Sequence, residues 1–446
     1  MNRKDRNPWT PEDEREHFPS VVEWWTVEAF FKSIEDNKNW FLRTEFYEQF
    51  IKSKTTSSTF SITLFDIDNH KHFRYFSKND YAKLKSARDR FDVKYDDSHA
   101  KGSYPDYEFH IKDQKNNIEL DLKYNAESLP HWVAQDATNG WLPMGTGFYR
   151  YGFISKNSIS GTMKIGNEIF TINGKGYFDH VWGDFSYYSS LSNFLKPKKL
   201  FSTYLKLVSW WVHNHRICIP KSITFTTENN PTGYDWGWAL LDNGWTIFYG
   251  NIMFWIAEGP ITGILILSKD GKMYTEFCNA SFRYNKTILV DGYDFYYPSE
   301  YEVTVISGIK KIYLRFKMAD ESIIEYITRF SKGKFYPGYS FFEAPGNVSG
   351  YYFDGTKKIE LHGLCKMESK RVISKIGHNS LKLDFVLPPK GIGISFDFDS
   401  HLLNKKIFSK IQLAPRPKIN FKINKINIIS QEKNKRCRYI FYVMKF

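Results

Sequence analysis

Apolar and polar residues alternate with a period of two along most of the chain, the pattern of strands that bury one face. Runs rich in Ile, Val, Thr, Phe and Tyr are separated by short turn dipeptides. Gly166-Asn167 lies between runs 158–165 and 168–172, and Asn243-Gly244 between 236–241 and 245–249. Asp270-Gly271 follows 264–267, and Asp354-Gly355 divides 350–353 from 357–361. Asn-Gly and Asp-Gly accept the positive φ of a type I′ turn, whose twist matches paired strands. Such hairpins among many short runs predict an all-β chain built from antiparallel barrels or sandwiches. Helical spacing is scarce. It predicts one short helix over 78–90, where Tyr81, Leu84 and Ala87 recur every three residues.

Two β blocks emerge within the 446 residues, 21–184 and 232–404. A polar N-terminal extension, 1–20, precedes them. An insertion, 185–231, separates them. It mixes aromatic and aliphatic pairs such as Trp210-Trp211 with Lys196, Lys198, Lys199 and Lys206. A connection this long is expected to be functional, as a partly helical lid, a helix in a membrane interface, or a helical hairpin packed on the β body. No apolar run reaches the ~18–20 residues of a membrane-spanning helix. The nearest, 252–267, is interrupted by Glu258 and Pro260. The first twenty residues hold five acids and no apolar stretch, so no secretory signal is expected. Four widely spaced cysteines without a Cys-x-x-Cys pair fit a reducing compartment, and a cytoplasmic protein is expected.

Charge is uneven. Residues 405–446 carry twelve Lys or Arg and one acid, which is +11 of the chain's +13. The near-neutral body has no basic stripe, so nucleic acid is not an expected partner. The basic tail and the 196–211 stretch suit peripheral contact with an anionic membrane, or the tail is simply solvated. Aromatic residues are abundant, at 18% of the chain. They fit a β-rich core, or a cavity for an apolar ligand.

Three clusters carry candidate chemistry. Glu23-Trp24-Trp25 opens the first block, Gly176 to Asp184 (GYFDHVWGD) closes it, and Tyr234 to Trp238 (YDWGW) opens the second. Read as a strand, the second cluster puts Phe178, His180 and Trp182 on one face and Tyr177, Asp179 and Val181 on the other. The third puts Tyr234, Trp236 and Trp238 on one face. Asp235, Gly237 and Ala239 take the other, and the two small residues beside a carboxylate suggest a void above the sheet. His180 and Asp235 read equally well as satisfied structural residues.

Glu-Trp-Trp, the segment from Ser160 to Asp184 and the later GYDWGWALLDNGWTIFY resemble the carotenoid 1,2-hydratase (hydroxyneurosporene synthase) and AttH-like superfamily. So does 340–370, with Glu343 and Glu368 at its acidic positions. The resemblance covers about 21–370. It implies two packed lipocalin-like antiparallel β-barrels with ligand pockets within or between them. It also implies a lyase, an alkene hydratase or terpene-type cyclase, acting on a hydrophobic isoprenoid. By the resemblance, Asp179, His180 and Trp182 match the motif, and Tyr234 and Asp235 fill the next acidic–aromatic position. The 185–231 insertion departs from the pattern.

Such chemistry needs a carboxylic acid kept protonated by burial and electron-rich rings beside the carbocation. Asp235 or Asp179 would be the acid, Tyr234 and His180 would assist, and Trp182, Trp25, Glu23, Trp24, Tyr177 and Trp236 would line the substrate. No metal, nucleotide or flavin cofactor is expected. His70/His72 and His213/His215 are His-x-His pairs with no third ligand indicated. The alternatives are a non-catalytic carrier of a lipophilic ligand and a pericyclase that shapes a polyene.

Overall fold

A computed structural model describes the chain except residues 1–8, 52–53, 78–82, 145–146, 185–200, 203–204, 207–208, 210–221, 226–233, 253–262, 290–295, 320–336, 375–379, 388–391, 400–423, 433–434 and 444–446. The strands form three sheets. In the first, the long hairpin Gly147–Ile165 and Glu168–Asp184 occupies the middle. Val22–Ser33, Asn39–Ile51, Lys54–Asp66 and Lys71–Phe76 extend it on one side. Five shorter strands between Leu84 and Ala126 extend it on the other. The sheet curls until its two wings pack face to face, with Phe60 5.8 Å from Tyr95 and Trp25 6.4 Å from Phe91. It remains open at its edges. The second sheet is a closed eight-stranded barrel running from Tyr234–Leu241 to Lys358–Ser374. All four turn dipeptides join adjacent antiparallel strands, but only the glycine of each takes a positive φ, so the expected type I′ geometry is not formed. The expected all-β pair of lipocalin-like barrels is therefore present, one closed and one curled open.

The third sheet differs from the expected plan. Ser380–Leu387 and Ile392–Asp399, placed by sequence in the second block, pair with each other outside the barrel; Ser380–Leu387 also pairs with the tail strand Asn424–Glu432, which pairs in turn with Lys435–Val443. Ser222–Phe225, from the insertion, joins them in parallel. Elsewhere in the insertion, residues 201–202, 205–206 and 209 are helical, with Phe201 and Leu205 exposed. The rest of the stretch expected to touch membranes, and most of the tail, lie outside the described residues. Among the described residues, no helix is long and apolar enough to cross a membrane.

The helix expected over 78–90 is not formed in its described part. Leu84–Ser86 is a strand paired with Phe91–Tyr95, Leu84 opposite Tyr95. Leu84 is buried and Lys85 exposed, so period-two burial at the sheet's edge overrides the spacing of three.

Alternation decides which residues meet which neighbours. Along Val22–Ser33, Trp25, Val27, Ala29 and Phe31 enter the core of the curled sheet. Val22 and Phe30 face the opposite way, into a second apolar cluster shared with Trp238, Phe248 and Ile266 of the closed barrel. Phe153 and Phe248 stack across this seam at 4.7 Å and 8°. His131 Nε2 and Glu276 Oε1, 2.8 Å apart, close it at one side. The void expected above Gly237 is filled. A Cβ there would lie 1.9 Å from the Lys366 carbonyl and 2.6 Å from the Tyr249 hydroxyl.

Gly237→Ala should therefore destabilise the protein by about 2–3 kcal/mol through overpacking. Gly250→Ala meets nothing closer than 3.4 Å and should cost less than about 1 kcal/mol. Denaturant unfolding of both variants checks this, and equal costs would refute the close approach at Gly237.

Candidate functional site

The candidate residues fall into three places. The first is the interior of the curled sheet. Val22–Ser33 and Glu168–Asp184 pair in register, Glu23 opposite Trp182 and Trp25 opposite His180. Alternation turns all four inward. His180 is fully buried; its Nδ1 donates to the Asp13 carbonyl at 2.8 Å, and its Nε2 lies 2.8 Å from Glu23 Oε1. Burial holds the imidazole near pKa 3 and pushes Glu23 up to about 7. His17 completes the group. Its backbone N–H donates to Glu23, its Nδ1 lies 3.0 Å from Glu23 Oε1, and its ring stacks on Trp182 at 3.6 Å. Trp25 stacks on His180 at 4.8 Å and donates to the Glu14 carbonyl.

The polar N-terminal segment is thus built into the sheet's mouth. Asp13 pairs with Arg150 at 2.7 Å. Buried Glu14 accepts bonds from Trp9, Tyr104 N–H and Tyr107. The faces of Trp25 and Trp182 expected for substrate are covered by the protein's own imidazoles.

The second place is the seam between the sheets. Glu28 and Arg43 reach it from the curled sheet, and Glu343, Lys366 and Glu368 from the barrel. The Lys366 ammonium is fully buried, 2.9 Å from Glu28, 3.7 Å from Glu343 and in contact with Glu368. It also lies 3.8 Å from the ring centre of Trp236. Arg43 bridges Glu343 and Glu45 at 2.8 and 2.7 Å. Trp238 donates its indole N–H to Glu28.

Glu343 and Glu368 are directly opposite across strands, and their surroundings split them. Burial would raise both. Arg43 and Lys366 nevertheless hold Glu343 below the usual carboxylate range, while burial lifts Glu368 to about 7. Tyr234, only partly buried, donates to Glu368 Oε1 at 2.9 Å. Behind them Asp179 is buried, its Oδ2 accepting from Tyr151 at 2.7 Å, and Tyr177 lies 3.2 Å from the same Tyr151 hydroxyl. Burial pushes Asp179 to about 8. Trp24 is on this outer face too, stacked on Tyr47.

The third place is the barrel interior, where Asp235 accepts from Asn251 at 2.7 Å, Ser369 at 2.5 Å and the Tyr284 hydroxyl.

His180, Asp179 and Asp235, named together as candidate catalytic residues, lie in three different places. His180 and Asp179 are neighbours on one strand and so face opposite ways, which leaves His180 unable to orient Asp179. Asp235 points into a different barrel. The seam does unite Asp179, Tyr177, Tyr234 and Trp236, and the curled sheet unites Glu23, Trp25, His180 and Trp182. Sequence reasoning missed His17, Glu28, Arg43 and Lys366. An ionisable residue inside an otherwise alternating apolar strand was the signal available for Glu28 and Lys366.

Removing one partner of a buried ion pair strands the others, so Lys366→Met should cost about 3–5 kcal/mol. Adding Glu28→Gln should recover part of that loss, as denaturant titration would show; additive losses would refute the pairing. A buried acid with a raised pKa holds its proton in the native state beyond the unfolded value. Stability is therefore greatest below pH 4.5 for this group and falls as pH rises toward 7. Glu368→Gln should flatten the fall between about pH 5 and about pH 7 by up to ~1.4 kcal/mol per unit. An unchanged slope would contradict the raised pKa.

A scan against protein-family profiles gives no match, and a search of curated sequences finds no significant relative. Solved structures do match. One is a protein provisionally assigned as AttH from Nitrosomonas europaea, 16% identical, with a TM-score of 0.54 over 83% of this chain and 98% of that one. Another is kievitone hydratase from Nectria haematococca, 10% identical, with a TM-score of 0.55 over 82% of this chain and 94% of that one. The AttH-like resemblance carried by the sequence motifs is thus borne out in the fold: this chain has the tandem lipocalin-like architecture of those proteins.

Proposed function

We propose that this chain is an alkene hydratase for a hydrophobic, isoprenoid-like substrate, working at the seam. The observation that carries the reading is the Tyr234–Glu368 pair. It joins a partly exposed phenol to a buried carboxyl poised near neutrality, in a fold shared with a hydratase. A general acid works best with a pKa near the working pH, and carboxyls with split pKa values divide acid and base roles. Here Glu368 is the proton source: once its carboxyl is protonated, the Tyr234 oxygen accepts from it while the phenol turns its own O–H toward the alkene.

The proton adds to one alkene carbon, and the π pair forms the C–H bond. The adjacent carbon becomes a tertiary cation. A water oxygen forms the C–O bond to it, and the released water proton returns through Tyr234 to Glu368. The sum is the addition of one water. The cation's counter-field comes from Glu28, Glu343 and Glu368 rather than from the Trp236 face, which Lys366 already covers.

Incubation with a polyisoprenoid alkene in heavy-oxygen water should give an alcohol carrying the label. Tyr234→Phe and Glu368→Gln should each lower the rate by at least about 100-fold, within the usual range for general acid–base groups. Binding without label would favour a carrier, and an unlabelled isomer a pericyclase. Turnover that survives both substitutions would remove the seam acid from the reaction.

A further inference from the structure

The cluster inside the curled sheet is left unused by the seam chemistry, and its polar atoms are arranged oddly. His180 donates from Nδ1 to the Asp13 carbonyl, so its proton is on Nδ1 and Nε2 presents a lone pair. That lone pair points at a carboxylate oxygen, Glu23 Oε1, at 2.8 Å. Two acceptors held this close need a proton or a metal cation between them. His17 Nδ1 points at the same oxygen, 3.0 Å away. The three donor atoms lie within 4.8 Å of one another.

The charge balance is also one-sided. Glu48 is directly opposite Glu23 across the strands, and both are buried. Like charges in that register repel. Among the described residues no Lys or Arg pairs with either. Arg150 pairs with Asp13 and Arg88 with Glu16.

We propose that His17, Glu23 and His180 form a binding site for a divalent transition-metal ion of the zinc type, with Glu48 as the neighbouring carboxylate. Two imidazoles and a carboxylate are the donor set such borderline ions favour. Tetrahedral ligation at about 2.0–2.1 Å puts ligand atoms roughly 3.3 Å apart; the two contacts to Glu23, at 2.8 and 3.0 Å, open by a few tenths of an ångström, and the two imidazole nitrogens, within 4.8 Å of one another, draw to the same spacing. The outer contacts are those that orient metal ligands. The Asp13 carbonyl fixes the His180 tautomer, the His17 amide holds the Glu23 carboxylate, and Trp182 and Trp25 stack on the two imidazoles. The ion would fasten the N-terminal segment, which brings His17, to two strands of the sheet. The donors are 6 and 157 residues apart in sequence, so no short motif announces them, and the expectation of a metal-free protein is revised by this proposal.

The test uses the full-length chain, stripped with a chelator, dialysed and titrated with Co2+ alone. One equivalent per chain should bind, with the visible bands of a low-coordinate ion. Glu23→Gln keeps the side chain's shape and should weaken binding by at least about 100-fold, beyond the 10–100-fold typical of an outer-shell change. His110→Ala, at the separate surface cluster with Asp121, should leave the binding unchanged. X-ray absorption of the wild-type zinc form should show two imidazoles at about 2.0–2.1 Å, a readout that needs no variant to fold. Three results would overturn the site: no stoichiometric uptake, so that a proton alone joins Glu23 to His180; uptake undiminished in Glu23→Gln; or a zinc shell lacking two imidazoles.

Discussion

The buried ammonium of Lys366 is the contact on which the arrangement of the two β units depends. An unpaired charge in such a place would cost several kcal/mol. It is tolerable because Glu28 reaches it from the curled sheet while Glu343 and Glu368 reach it from its own barrel. Arg43 closes the loop by crossing in the other direction to Glu343. Apolar stacking such as Phe153 on Phe248 supplies area at this seam, but area is not directional. The charges set the register, because a small slide would leave several of them unmatched. The same contacts place Trp236 under Lys366, tie Trp238 to Glu28 and bring Tyr234 to Glu368. Cohesion and candidate chemistry at the seam are therefore one network.

A single strand serves two environments. Along Glu168–Asp184, Phe178, His180 and Trp182 enter the curled sheet while Tyr177, Asp179 and Val181 face the barrel. The strand Val22–Ser33 repeats the division, with Glu23 and Trp25 inward and Glu28 outward. Motif residues adjacent in sequence thus belong to two sites with different partners. The inner one is sealed by the N-terminal segment, whose polar residues are consumed as partners: Asp13 by Arg150, Glu14 by Tyr107, His17 by Glu23. A segment that reads as a polar extension becomes part of a core because its buried Asp13 and Glu14, and its His17, find fixed partners there.

The sequence made much of the fold legible for local reasons. The dipeptides at 166–167, 243–244, 270–271 and 354–355 demand hairpins wherever they stand, and alternation in 177–182 separates faces whatever lies opposite. The helix expected over 78–90 failed because three-residue spacing is also compatible with an edge strand, and pairing of Leu84 with Tyr95 decided between them. Glu343 and Glu368 were reachable only through the resemblance. Lys366, Glu28 and Arg43 were not reached: a charge in an apolar strand marks Glu28 and Lys366 as unusual, but the partners that give all three a role come from the other sheet.

What the chain determined alone is what depends on neighbours a few residues away: strand identity, turn positions and the face each side chain takes. Which residues share a site was decided by the docking of the two sheets and by the return of the N-terminal segment. His180 lies 157 residues from Glu23, and Tyr234 lies 134 from Glu368. No local rule links such positions. Burial then altered the chemistry itself, since the same carboxyl group is an ordinary anion in water and a proton-holding acid at Glu368, where the tertiary structure removes the water.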